Sequence, residues 1–362
     1  MKRYFKTLLL LLLPALVFAN DMGKFKGKYT KEKTVQKEYT VNSDAELYVS
    51  NSYGNIDIST WNENRTVIEV HIKTNANSEE KAQSKLDDIQ IEFTGSASKV
   101  SAKTRFNERK TNWNWWGGSK NNNVRMEINY TIKIPVTNSV DLHNDYGAIT
   151  INRLEGRANI SCDYGQLYLG DLLGENNYLS FDYTKTASIS SMASGKINAD
   201  YSNYTLDKVG ALELNADYTK SDIKEVNVLD YSCDYGRLTI GTVKNIDGGG
   251  DYVPVRINTL RGRMDITAEH GSVSVDRITE EGGDVDIRSE YAGIKIGFDS
   301  GYHFDFDLRL EYAGFSGEDE VTVMRTAKDN SYKAYSGYHG KKGSGNTINI
   351  DSEYGRVSFN KY

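Results

Sequence analysis

The sequence predicts an all-β protein: a right-handed parallel β-solenoid with coils of about 17–21 residues, preceded by an N-terminal β-rich cap holding one short helix. Three observations predict it: an acidic–aromatic dipeptide recurs at near-constant spacing, apolar residues alternate on both sides of it, and small residues follow it. The aromatic members are Tyr146, Tyr164, Tyr183, Tyr201, Tyr218, Tyr235, Tyr252, His270, Tyr291, Tyr312 and Tyr354, each preceded by Asp or Glu. The spacing holds within that coil length from Tyr146 to Tyr312, and the last step, Tyr312 to Tyr354, is twice as long as the one before it. An early copy stands at Ser52-Tyr53-Gly54.

Four residues before the aromatic comes an aliphatic side chain (Leu142, Ile160, Leu179, Ile197), and two before it a mostly small one (Cys162, Ala199, Ala216, Cys233). Three and five after it come further apolar residues, as in Ile149/Ile151 and Leu238/Ile240. Period two on both sides means two strands per repeat, with a corner between them. Return turns are expected at Leu154-Glu-Gly156, Leu172-Leu-Gly174, Val209-Gly210 and Leu260-Arg-Gly262. Such short repeats have no room for a helix. An antiparallel sandwich would explain turns and alternation, but not one dipeptide at one phase; stacked coils do.

Residues 41–140 break the repeat and read as the cap. Within it, residues 78–88 form the helix, from a capping Ser78 and early acids. A cap is needed to cover an exposed core and sheet edge. The solenoid proper is residues 141–362.

The N-terminus reads as a signal peptide, residues 1–19: Lys2, Arg3 and Lys6 precede an apolar run of about 11 residues, with Val17-Phe-Ala19 at the cut. That run is well short of the roughly 20 residues that cross a bilayer. No later segment is of transmembrane length, so a periplasmic, envelope-associated or secreted protein is expected. Residues 20–40 are a basic lead-in, a solvated approach to the first strand rather than an arm for acidic polymers.

Without the leader, 41 basic residues face 50 acidic ones, which argues against nucleic acid as a partner. The 25 Tyr and 32 Gly against 3 Pro reflect the repeat.

With these residues assembled, the chain resembles the bacterial putative-adhesin family, whose members are exported β-solenoids of unknown function. The stretches that carry the resemblance are Leu47 to Ile58 with Trp61, the helix Glu79 to Asp88, Tyr130 to Pro135, and Leu142 to Ile151 with the coils beyond. Together they cover most of the mature chain. The resemblance implies the solenoid and a binding role, and it brings no catalytic residues.

Parity carried through the corner predicts an internal tyrosine ladder, rings stacked and hydroxyls reaching corner backbone or water, in preference to an exposed strip for sugars or a partner's strand. His270 shares that slot. The preceding acids then point outward about 5 Å apart and need relief, from water, corner amide donors, lysines or a divalent cation, with Asx-type hydrogen bonding in the turn favoured over calcium. No calcium-binding loop pattern occurs and no cofactor is expected. Cys162 and Cys233 occupy one inward slot four coils apart, roughly 19 Å, beyond disulfide reach, so both are expected as buried free thiols.

The candidate ligand-binding residues are Trp113, Trp115 and Trp116, in a polar, glycine-rich loop spanning 106–123. Exposed Trp suits carbohydrate stacking, a membrane interface or a protein hot spot; the structural alternative folds the rings back on the cap. The five His are scattered without metal spacing, and Gly248-Gly-Gly250 lacks the strand–helix context of a phosphate loop. The favoured function is therefore a non-enzymatic adhesin or envelope scaffold binding glycan or a cell-surface protein. The alternative is a polysaccharide lyase or hydrolase on the same scaffold. End-to-end self-association is a third expectation, because the last coil, Ile350 to Phe359, ends three residues before the terminus.

Overall fold

The computed structural model describes residues 25–107 and 124–362. The expected signal peptide and the Trp loop residues 108–123 lie outside them, so Trp113, Trp115 and Trp116 have no described position. The described chain is all-β apart from the helix Glu79–Asp88 and a short 3-10 turn at Glu318–Glu320, and its strands join in one mixed sheet. Ser78 caps the helix through its side chain, which accepts from the Lys81 amide.

From Ser139 onward neighbouring repeats pair in parallel. Ala158–Asp163 lies between Ser139–Asp145 and Asn177–Asp182, with Ile160 opposite both Leu142 and Leu179. The second arms do likewise, Leu167 standing opposite Ile149 and Ala187. Each repeat thus adds one rung to two arms, and the inward aliphatics merge into one core running from Val41 to Phe359. Burying a side chain of this size contributes about 1.5–3 kcal/mol.

The middle repeats differ from expectation. Thr186–Asp200, Asn203–Asp217, Lys220–Asp234 and Arg237–Asp251 are continuous strands, so no turn interrupts Val209-Gly210. Two successive outward residues, Asp207 and Lys208, shift the parity, and the strand bends without breaking. Gly248 also finds its reason here. Tyr231 of the previous repeat turns inward, and a Cβ at Gly248 would stand 2.6 Å from its ring. Gly248 makes room for a core tyrosine.

At the N-terminal end the lead-in is corrected: Tyr29–Thr40 is itself a strand, antiparallel to Arg65–Ala76 along its whole length. Its polar composition hid it: Thr30, Glu32, Thr34 and Gln36 alternate on the exposed face, and even the half-buried face carries Lys31 and Lys33. Arg65–Ala76 pairs in turn with Arg125–Pro135. The first coil, Glu46–Ser52 and Ile56–Trp61, is covered by Lys99–Phe106 and Arg125–Pro135 on one side and continues into the repeats on the other.

The C-terminal order is also corrected. Thr347–Glu353 pairs in parallel with Val285–Glu290 on one side and Phe304–Glu311 on the other. The last coil in sequence is therefore inserted between two earlier ones. Phe304–Glu311 is then covered by Tyr332–His339, antiparallel, which pairs with Thr322–Lys328. The double-length step from Tyr312 to Tyr354 is an excursion through this hairpin rather than two stacked turns. It also removes the ground for end-to-end association, since the final coil is internal.

Candidate functional site: an exposed aromatic rib

Tyr residues at the corners adopt the left-handed conformation. Tyr53, all ten later repeat tyrosines and His270 have φ between 49° and 65°. This conformation costs a non-glycine residue about 1–2 kcal/mol. It also breaks strand parity: the residue after the aromatic turns into the core, as Thr184, Ser202 and Thr219 do, and the aromatic turns out.

The internal ladder is thus corrected to an external one. Tyr146, Tyr164, Tyr183, Tyr201, Tyr218, Tyr235, Tyr252, Tyr291, Tyr312 and Tyr354 are each about half exposed, between 46% and 60%. Their rings stack face to face with centroids 4.7–5.3 Å apart and planes within 19° of parallel, His270 taking its turn between Tyr252 and Tyr291. Tyr53 opens the row and Tyr312 closes it. Eleven rungs of strand spacing make a rib on the order of 50 Å long. Because neighbours cover the ring faces, solvent meets the ring edges and hydroxyls.

Behind the rib, hydroxyls link the corners. Thr184 donates to the Cys162 carbonyl, Ser202 to that of Phe181 and Thr219 to that of Ala199, at 3.3, 3.2 and 2.7 Å. The Thr184 amide donates to Ser202 Oγ and the Ser202 amide to Thr219 Oγ1, both at 3.0 Å. Where Gly occupies this slot the approach is closer: a Cβ at Gly147 would lie 1.8 Å from the Gly54 carbonyl oxygen.

The acids form a second column beside the rib. The Asp182 amide donates to Asp163 Oδ1, and the pattern repeats through Asp200, Asp217, Asp234 and Asp251, at 2.8–3.2 Å. Relief comes from the amide one coil further on, not from an Asx turn within the corner. One oxygen each of Asp163, Asp182, Asp200, Asp217 and Asp234 is held in this way. Partial burial holds the Asp145, Asp182 and Asp217 carboxyls above their ordinary range, and the nearest carboxylates of the column push the same way; for Asp182 and Asp217 the amide hydrogen bond opposes both. Tyr53, Tyr164, Tyr201, Tyr235 and Tyr354 are raised too, by desolvation first and then by the neighbouring Tyr and acidic groups.

Cys162 and Cys233 are buried and free, and burial pushes both thiols up to about 12. Among the described residues no three His, Cys, Asp or Glu side chains gather in a way that could hold a metal ion, and no helix is long and apolar enough to cross a membrane. Sequence reasoning found every rib position but missed its exposure; the one signal is that inward positions fall four and two residues before the aromatic but three and five after it, a parity switch at the corner that the tyrosine itself does not announce. Phe106, the last residue of Lys99–Phe106, packs edge-on to Tyr53, the rib's first ring, at 6.4 Å.

No family model matches the chain, and no curated protein does. Among solved structures it is similar to a putative cell adhesion protein from Clostridium sporogenes, at 11% identity over 92% of this chain and 100% of that one, with a TM-score of 0.21. It is similar to a putative adhesin from Parabacteroides merdae, at 10% identity over 73% and 95% of the two chains, with a TM-score of 0.38. A putative lipid binding protein from Parabacteroides distasonis is similar at 13% identity over 72% and 96%, with a TM-score of 0.31.

Proposed function

We propose that this chain is an exported, non-enzymatic binding protein of the adhesin kind: a right-handed parallel β-solenoid whose tyrosine–carboxylate rib presents one contact, repeated, to a glycan or a cell-surface protein. Residues 1–19 would direct export to the periplasm, envelope or medium. The observation that carries the proposal is the half-exposed, continuous tyrosine row. An aromatic pair contributes about 0.5–1.5 kcal/mol beyond the area it buries, set against about 1–2 kcal/mol for the left-handed corner at each rung. The stacking still leaves about half of every ring in solvent, a long amphipathic surface available for contact. A rigid row binds many points of an extended partner with little loss of conformational freedom. Since ring faces are occupied, sugars would meet hydroxyl edges and carboxylates rather than stack.

The test is a panel of acidic and neutral glycans with and without calcium, alongside whole cells. Retention without cleavage, lost on replacing Tyr201, Tyr218 and Tyr235 by Ser, is the expected result. New reducing ends or unsaturated sugars would instead establish the lyase or hydrolase. Replacing Trp113, Trp115 and Trp116 by Ala in parallel tests whether that loop adds to retention.

A further inference from the structure

The two flanks of the rib differ in charge. On the side of the residue before each aromatic stands a carboxylate at every repeat from Asp145 to Glu353, Glu311 included. On the other side, two residues after the aromatic, no position holds an acid: Gln166, Asn203, Lys220, Arg237, Ser272 and Arg356 are typical. Lys220, Arg237 and Arg356 are exposed, and Lys220 lies directly opposite Arg237 in the parallel register. At the level of Tyr218 the rib is therefore flanked by Asp217 and Lys220, and at Tyr235 by Asp234 and Arg237.

We infer that the extended partner of the rib is a second copy of this chain, lying alongside in parallel about a two-fold axis that runs along the tyrosine row. The inference rests on the rib being the binding surface and names its occupant. Rotation about such an axis keeps every rung at its own level and exchanges the flanks. Asp217 and Asp234 of one copy then face Lys220 and Arg237 of the other, and Glu353 faces Arg356. An antiparallel arrangement would set the carboxylate columns against each other, which costs association. Pitch supports the same partner: both ribs take their spacing from backbone pairing, so rung matches rung along the whole length, as in stacked-sheet interfaces. Three outward residues across the rib span about 10 Å, so a rib on the order of 50 Å long covers roughly 500 Å² per copy, at the lower limit of a specific interface. The contact is accordingly weak and reversible, and its parallel geometry sets the same ends of the two copies side by side.

Sedimentation velocity over a wide concentration range tests it, using the mature chain. The wild type should show a concentration-dependent dimer. K220E/R237E, which alters only exposed side chains, should weaken the dimer by about tenfold or more, and so should D217K/D234K. An equimolar mixture of the two variants should restore a heterodimer, because every facing pair is then opposite in charge. Unchanged melting of K220E/R237E verifies that the fold is intact. A wild type that stays monomeric at high concentration, or a dimer indifferent to K220E/R237E, overturns the inference. If the monomer nevertheless retains glycan or cells through Tyr201, Tyr218 and Tyr235, the rib is still the binding surface and only its occupant is wrong.

Discussion

Tyr354 stacks on Tyr291 at 4.7 Å with planes 4° apart, although Tyr312 lies between them in sequence, and in space it is Tyr354 that stands between Tyr291 and Tyr312. The coil that carries it completes the pairing of Val285–Glu290 on one side and of Phe304–Glu311 on the other. Removing residues 341–362 therefore takes out an internal layer rather than a terminal one. The truncated chain should lose amide protection across 304–339 as well as along 285–298. Hydrogen exchange by mass spectrometry reads this directly. Protection that keeps its wild-type values over 304–339 would show that the hairpin stands on its own.

The period was legible because stacking forces equivalent slots to share a neighbourhood: Leu142, Ile160 and Leu179 must all be apolar when each lies on the next. The direction of Tyr146 and its successors was not legible. Period-two counting assumes extended backbone, and a single left-handed residue reverses inside and outside after it. Tyr is a poor candidate for that conformation, whereas Gly or Asn would have announced it. The order of the last coils was hidden for another reason. The doubled gap before Tyr354 fits two further turns as well as one excursion, and only pairing partners decide between them. Tyr29–Thr40 was hidden because its partners, on Arg65–Ala76, are distant in sequence and lysines interrupt its half-buried face.

The left-handed corner makes a prediction of its own. Tyr201 contacts Tyr183 and Tyr218 at 5.0 and 4.8 Å, with φ at 52°. Both Tyr201→Ala and Tyr201→Gly lose these contacts, but only Gly relieves the backbone. Tyr201→Gly should therefore be more stable than Tyr201→Ala by about 1 kcal/mol. Chemical denaturation of the pair measures the difference. Equal stabilities, or Ala above Gly, would show that the corner stores no such cost.

The thiols give a third. With Cys162 and Cys233 buried and their thiols held near 12, neither forms thiolate at neutral pH in the folded chain. A thiol-reactive chromogen should titrate neither group in the native protein and both in denaturant. Its slow native reaction should follow the global unfolding rate. Fast labelling of Cys162 without unfolding would mean that its coil opens locally.

The carboxylate column makes the last prediction, on pH. The folded state raises the pKa of Asp182 and Asp217 above the ordinary 3.8, through burial first and then neighbouring carboxylates, against the amide hydrogen bonds. A raised pKa means that the folded chain holds these protons more tightly than the unfolded chain. The stability from this source is full below the unfolded value and is lost as pH rises through the folded one. At neutral pH the ionised pair therefore works against the fold. In D182N/D217N the side-chain carbonyl can still accept the next amide, so the hydrogen bond survives and the repulsion goes. The variant should melt roughly 1–3 °C above wild type at pH 7. Its advantage should shrink with added salt, which screens exposed charges, and vanish as pH falls below the unfolded value. Thermal melts across pH at low and high salt test all three. A variant less stable than wild type at pH 7 would show that the charged carboxylates, through their amide bonds, hold the column together more than they strain it.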